Sequence, residues 1–212
     1  MKTDDLILAL SADAKTRGPS LTGRVLLALA LGACVSLAVF MAALGVRPDI
    51  AAAAHTVRFD LKFLDTLALL LPALLLCLRL SRPEVSAGTM LMWLLAPVVL
   101  LAVAVAVELA TVPSDLWLRK IIGRNWWHCL SLVPIFSLPP LAALILALRE
   151  GAPRYPALTG ALAGLAAAGV SATIYATNCT DDSPLFVATW YPISTGAVAA
   201  LGAWAGRKWL TW

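Results

Sequence analysis

Six long apolar runs, separated by short segments that carry most of the charge, divide the chain. Most of the runs are close to the ~20 residues that a helix needs to cross a bilayer core. Lipid cannot satisfy exposed backbone polar groups, and no alternating strand pattern suggests a barrel. The predicted fold is therefore all-α, a polytopic membrane bundle of six transmembrane helices. The runs are 25–46, 63–78, 90–107, 129–148, 157–176 and 185–206.

The composition excludes a soluble globular domain. Of the 212 residues, 61% are hydrophobic and 13% are charged, whereas soluble domains carry about 25% charged residues. So much apolar surface needs lipid as its solvent. The net charge of +4 is small and scattered, which argues against a nucleic-acid surface. Membrane lipid is an expected partner, and direct contact with nucleic acid is not expected.

Basic residues predict the orientation of the bundle. With the N-terminus in the cytoplasm, ten of the 16 Lys and Arg residues lie on the cytoplasmic side and six on the other. This positive-inside bias favours cytoplasmic N- and C-termini. The chain then divides into a cytosolic N-terminal segment 1–24, a six-span domain 25–206 and a cytosolic C-terminal tail 207–212.

The N-terminal segment has the pattern of a short amphipathic helix. Asp4 and Asp5 suit the positive end of a helix dipole, and Leu6, Ile7 and Leu10 form an apolar stripe at helical spacing. Such a helix can dock into a groove on a soluble partner. It can also lie on the membrane surface. The residues alone leave both interpretations open.

Two of the four cysteines are the candidates for chemistry on the opposite, periplasmic side. Cys129 begins the fourth run and follows His128, while Cys179 lies just after the fifth run. A disulfide between them would tie these spans together, as oxidising compartments allow. With His128 they could equally offer soft ligands to copper or another thiophilic metal. Asp181 and Asp182 are expected to cap the sixth helix or to remain in water.

Other polar and small residues are assigned structural roles. Asp65 and Glu108 lie near the outer ends of their spans, where we expect them to reach the interface. Two G-x-x-x-G patterns, at 160–164 and 202–206, predict close helix packing within one bundle. No metalloprotease, nucleophile-elbow or phosphate-loop motif is present in the sequence. The protein is therefore not expected to be an enzyme.

Three stretches resemble the NrsF family of multi-span anti-sigma factors, and together they carry the resemblance over the whole chain. The opening MKTDDLI, followed by LSAD, is similar to the family's cytosolic segment. Residues 129–148, CLSLVPIFSLPPLAALILAL, are similar to its fourth span. The most specific stretch is CTDDSPLF, which begins at Cys179 and is followed by ATWY.

The resemblance implies a bacterial inner-membrane protein that holds an extracytoplasmic-function sigma factor, of the sigma F type. Sigma-factor binding then falls on Asp4, Asp5, Leu6, Ile7 and Leu10. Sensing of heavy metals or oxidants falls on the two periplasmic cysteines. No cofactor is required, although copper or another thiophilic metal is a candidate regulator. The corresponding sensing residues are Cys129 and Cys179, with His128 as a further metal ligand.

Asn178 departs from the family pattern, in which a His often precedes this cysteine. Two other functions remain as alternatives, a membrane thiol-disulfide oxidoreductase and a small transporter. The absence of a C-x-x-C motif in the sequence argues against the first. Few mid-span charges and no inverted repeat argue against the second. The sigma factor, the signal, the resting thiol state and the oligomeric state are left open.

Overall fold

A computed structural model describes residues 20–82 and 88–211, and this part of the chain is helical without strands. Residues 1–19, which hold the predicted amphipathic helix, lie outside the described residues. The helices are α1 Leu21–Ala43, α2 Ile50–Ala53, α3 Val57–Leu80, α4 Leu95–Thr111, α5 Trp117–Ile122, α6 Trp126–Leu148, α7 Pro156–Ala176 and α8 Pro184–Trp209. Short 3-10 turns at Gly88–Leu94 and Ser114–Leu116 precede α4 and α5.

The described residues contain six helical segments long and apolar enough to cross a membrane, which confirms the predicted fold class. Several helices extend beyond the apolar runs. α1 begins at Leu21 because the Ser20 hydroxyl accepts a hydrogen bond of 3.2 Å from the Gly23 N–H. Arg24, in its first turn, forms an ion pair with Glu150. Hydrophobicity marks the lipid-facing length, whereas caps and ion pairs set the helix ends.

α7 is the central helix of the bundle. It packs against α8, α3 and α6, and α1 lies along α6. Within the α1–α6 contact, the Ser36 hydroxyl donates to the Phe136 carbonyl at 2.7 Å, and the Phe40 and Phe136 rings meet edge to face. α4 is peripheral, contacting α8 and α3 and burying only Pro97 and Glu108. The bundle therefore has a compact centre and one loosely covered helix.

The glycines of α7 and α8 make the closest helix contact. A Cβ added at Gly160 would strike the carbonyl oxygen of Gly202, and one at Gly164 would strike that of Val198. In the other direction, a Cβ at Gly206 would meet the Pro156 carbonyl. Backbones this close gain dispersion contacts that larger side chains would prevent. The predicted close packing within one bundle is confirmed.

Buried side chains form two groups. The larger apolar core joins α1, α3, α6, α7 and α8 near the end where α1 begins. The second group, called here the cysteine cluster, lies at the other end of the bundle. Its members are Cys129, Val133, Ala172, Tyr175, Cys179, Phe186, Val187 and Tyr191.

The glycine contact predicts that two Gly→Ala substitutions in α8 differ in their effect on stability. Gly202→Ala should lower the stability of the bundle by about 1–3 kcal/mol, because its methyl group meets the backbone of α7. Gly196→Ala is the matched control, since Gly196 is exposed and a Cβ there meets nothing within 4 Å. The control should be neutral or stabilising by up to about 1 kcal/mol. Thermal unfolding in mild detergent, followed by circular dichroism, compares the two, and equal effects would contradict the packing argument.

Candidate functional site: a cysteine cluster beneath an ionic network

Cys129 and Cys179 belong to the same buried cluster although 50 residues separate them. Cys129 lies in the first turn of α6, and Cys179 lies in the loop between α7 and α8. Both are 0% exposed, packed with Tyr175 and Phe186. Both are free thiols in the structure. The site therefore presents two unpaired, water-excluded thiols from separate parts of the chain.

Ser194 joins the Cys129 turn to α8. Its hydroxyl donates to the Cys129 carbonyl at 3.2 Å and to the Trp190 carbonyl at 2.8 Å. The Cys129 Sγ lies 4.0 Å from the same hydroxyl. α6 and α8 are thus connected by a polar contact within an otherwise apolar cluster.

Two basic side chains hold the Cys179 loop. The Cys179 carbonyl accepts hydrogen bonds from Lys62 Nζ at 2.9 Å and from Arg47 Nη1 at 3.2 Å. Both cations also pair with Asp182, at 2.5 Å for Lys62 and 2.9 Å for Arg47. Lys62 is 1% exposed, so its charge depends on these partners for compensation. This group, Arg47, Lys62, Cys179 and Asp182, is called here the ionic network.

Further hydrogen bonds attach the same loop to the chain that leaves α1. The Arg47 N–H donates to the Thr177 carbonyl at 3.1 Å. The Asn178 side-chain amide donates to the Gly45 carbonyl at 2.9 Å. The end of α1 and the Cys179 loop are therefore bonded through both backbone and side chains.

Asp181 attaches the loop to α6. Its Oδ2 accepts from the backbone N–H groups of Arg124 at 2.9 Å and Asn125 at 2.7 Å. A carboxylate at this end of α6 also interacts favourably with the helix dipole. The expectation that Asp181 and Asp182 cap the sixth helix or stay in water was wrong. Asp181 binds the start of α6, and Asp182 belongs to the ionic network.

The surroundings shift three pKa values outside the spans. Burial raises the pKa of the Cys179 thiol, an effect that the Lys62 charge partly opposes. Hydrogen bonding to Asp49 raises the pKa of Arg47, and the same contact lowers the pKa of Asp49. Because the thiolate is the nucleophile, the burial that raises this pKa disfavours reaction of the Cys179 thiol.

The residues predicted to bind a metal are not arranged as a metal site in this structure. His128 is exposed, whereas Cys129 beside it is buried. Within residues 20–82 and 88–211, no group of three or more His, Cys, Asp or Glu side chains is arranged to hold a metal ion. His128 with the two cysteines therefore does not fit a three-ligand site in this conformation. Metal binding at these residues stays a prediction.

Glu108 and Asp65 are both buried, in contrast to the expectation that they reach the interface. Glu108 pairs with Arg58 at 2.8 Å and Lys120 at 2.9 Å and accepts from the Ser183 hydroxyl at 3.2 Å. Asp65 differs, because its Oδ1 has no hydrogen-bond partner in the described part of the chain. Glu108 is thus compensated by protein side chains, whereas Asp65 borders a cavity.

Sequence reasoning missed Arg47 and Lys62, which it counted only as charges that orient the bundle. One signal was available. Lys62 lies only one residue before the second apolar run, and a cation there needs a partner such as the acidic pair after Cys179. The predicted partner-binding residues are a separate case. Asp4, Asp5, Leu6, Ile7 and Leu10 lie outside the described residues.

The fold and the site define a helical bundle with six segments long and apolar enough to cross a membrane, and with a buried two-cysteine cluster. Residues 10–212 match the sequence profile of the NrsF family, described as "Negative regulator of sigma F". The chain belongs to this family, whose described role is regulatory.

Two relatives match over the full length of both chains. The "Anti-sigma-F factor NrsF" of Caulobacter vibrioides is 37% identical over 216 residues. The "Probable anti-sigma-F factor NrsF" of Azospira oryzae is 32% identical over 214 residues. No solved structure matches the chain.

The ionic network predicts that Lys62→Met loosens the Cys179 loop. The change leaves the Cys179 carbonyl and Asp182 short of a cation, and should cost about 3 kcal/mol of stability. N-ethylmaleimide should then label Cys179 faster in the folded protein, as measured by mass spectrometry of each cysteine. The matched control is Arg119→Met at an exposed position, which should change stability by less than about 0.5 kcal/mol. Unchanged labelling in Lys62→Met would show that the loop is held by other contacts.

Proposed function

We propose that this protein is a bacterial inner-membrane anti-sigma factor that sequesters an extracytoplasmic-function sigma factor. The observation that carries the proposal is the 37% identity, over the full length of both chains, to the anti-sigma-F factor of Caulobacter vibrioides. The partner is a sigma factor of the F type. The protein acts by binding and release, without catalysis, and does not itself contact nucleic acid.

In this proposal the N-terminal segment 1–24 is cytosolic and binds the sigma factor. Asp4 and Asp5 supply charge to the contact, while Leu6, Ile7 and Leu10 fill a groove on the partner, as amphipathic helices do. The last residues of this segment form the start of α1 and are attached to a neighbouring loop. Arg24 pairs with Glu150. The segment therefore leaves from an ordered face of the bundle.

α1 offers a direct route between the two functional ends. At its start it joins the N-terminal segment, and beyond its end Gly45 and Arg47 bond to the Cys179 loop. Along its length it packs on α6, which carries Cys129. Asp181 bonds the Cys179 loop to the start of α6. Movement at either cysteine can therefore reach α1 through hydrogen bonds and packed helices. This supports a coupling between the two cysteines and sigma-factor binding by the N-terminal segment.

The proposed signal is an oxidant or thiophilic metal that acts on Cys129 and Cys179 from the periplasmic side. Joining the two sulfurs in a disulfide removes two protons and two electrons, which a periplasmic oxidant accepts. A shift of the bound population from 1:99 to 99:1 needs a difference of about 5.5 kcal/mol between the two states. Because both thiols are buried, local opening of the cluster must precede the reaction.

The partner-binding proposal predicts that the N-terminal stripe is required for sigma-factor capture. The full chain, purified in mild detergent, should retain the sigma factor in a pull-down identified by mass spectrometry. The double variant Leu6→Asp/Ile7→Asp should lose at least about 90% of it, because two charges disrupt the apolar face. The double variant Ser11→Ala/Thr16→Ala is the matched control and should retain it. Capture by all three proteins would place the contact elsewhere, and capture by none would favour the transporter or oxidoreductase function.

The sensing proposal predicts that Cys129→Ser and Cys179→Ser each abolish induction of a sigma-dependent reporter by cadmium, copper, chromate or oxidant. Basal repression should be kept, because serine is close to cysteine in size. Cys77→Ser is the matched control, since Cys77 is buried in the apolar core away from the cysteine cluster. Normal induction in both single variants and in the double variant would contradict sensing at these thiols. Disulfide-exchange activity in the purified protein would instead support an oxidoreductase.

A further inference from the structure

A cavity of about 480 Å³ lies between α3, α4 and α8, with Ala172 of α7 completing its wall. Its lining is mainly apolar and includes Val98 and Leu101 of α4. Val98 is 60% exposed, so the cavity opens to the outside of the bundle, where α4 faces lipid. Its volume and lining are those of a site for a small molecule.

Two buried polar side chains that line this cavity have atoms without hydrogen-bond partners in the described part of the chain. Asp65 is 5% exposed and Tyr191 is 3% exposed. The Asp65 Oδ1 and the Tyr191 hydroxyl find no hydrogen-bond partner among the described residues. An unpaired buried polar atom costs free energy comparable to a lost hydrogen bond, and for a carboxylate the cost is larger still. The Asp65 Oδ1 therefore points to a ligand in the cavity, whereas the Tyr191 hydroxyl lies nearer the cysteine cluster.

The side chains that line the cavity indicate the class of ligand it can bind. A carboxylate oxygen accepts hydrogen bonds and attracts a cation, whereas the tyrosine hydroxyl can donate or accept. The other side chains that line the cavity are mainly apolar and favour a ligand with a hydrocarbon body. Asp65 lies eight residues after Val57 along α3, about 12 Å from the start of the helix. A ligand must therefore carry its charge into the span on an apolar body, as a lipophilic amine can.

We propose that the cavity between α3, α4 and α8 binds a lipophilic primary amine that enters from the bilayer, with its ammonium group on Asp65. The hydrocarbon body packs against α4, with Tyr191 lining the α8 side of the cavity. Tyr191 also belongs to the cysteine cluster, so an occupant contacts a side chain that packs with Cys129 and Cys179. The site is independent of the proposed sigma-factor contact. Its binding test does not depend on that function.

The test uses an alkyl primary amine that carries a diazirine on its chain, and the matched alkyl alcohol as a neutral probe. The full chain is placed in nanodiscs of phosphatidylcholine, which contains no primary amine. We expect saturable crosslinks of the amine to α4 and α8 peptides, and non-saturable labelling by the alcohol. Asp65→Asn should reduce amine labelling at least about tenfold, because it removes a charge-assisted hydrogen bond. Asp60→Asn, at an exposed position on the same helix, is the matched control and should label normally.

A second variant keeps the test informative if Asp65→Asn does not fold. Ala102→Trp fills the cavity from its exposed α4 wall and should also prevent amine labelling. Equal labelling of wild type and either folded variant would overturn the proposal, as would saturable labelling by the alcohol at the same peptides. Adding phosphatidylethanolamine distinguishes two sources of the ammonium group. A free amine as ligand predicts no competition, whereas competition would overturn that assignment in favour of a lipid headgroup.

Discussion

The buried charge of Lys62 is the interaction around which one end of the molecule is organised. Its ammonium group bonds the Cys179 carbonyl and pairs with Asp182, while Arg47 repeats both contacts from the α1 side. An ammonium group that is almost fully excluded from water needs such partners. Because these partners come from the α7–α8 loop, the need for compensation brings α1, α3 and that loop together. The cysteine cluster adjoins this ionic network and shares Cys179 with it.

The two ends of the bundle are built from different interactions. At the end where α1 begins, apolar side chains and glycine contacts dominate, and these are non-directional or short-ranged. At the cysteine end, hydrogen bonds and ion pairs hold loops in defined positions. Directional contacts depend on distance and angle, so this end is the more narrowly defined of the two in geometry. Close packing of α1 on α6 connects the two ends, and packed interiors resist gradual deformation.

The six spans could be predicted because lipid imposes a length and a polarity that a single sequence displays directly. The proximity of Cys129 and Cys179 also followed from topology, since alternating spans bring their outer ends together. The partners of Lys62 and Asp181 could not be predicted, because they depend on how helices pack sideways. Asp65 illustrates the same limit: its distance from the end of α3 was readable, but its enclosure by α4 and α8 was not. The proposed sigma-factor contact lies outside the described residues and stays a prediction.

The peripheral position of α4 has a consequence for how the protein depends on its surroundings. This helix buries only Pro97 and Glu108, and Glu108 is anchored by Arg58 and Lys120. Val98, Val103 and Val107 are 58–60% exposed, and in a bilayer they would meet acyl chains, whose length and order vary with bilayer thickness. α4 is thus buried near both ends, at Pro97 and Glu108, and covered only loosely in between. In a bilayer, acyl-chain composition would therefore act more on α4, whose span is 6% buried, than on the other five spans, which are 28–61% buried.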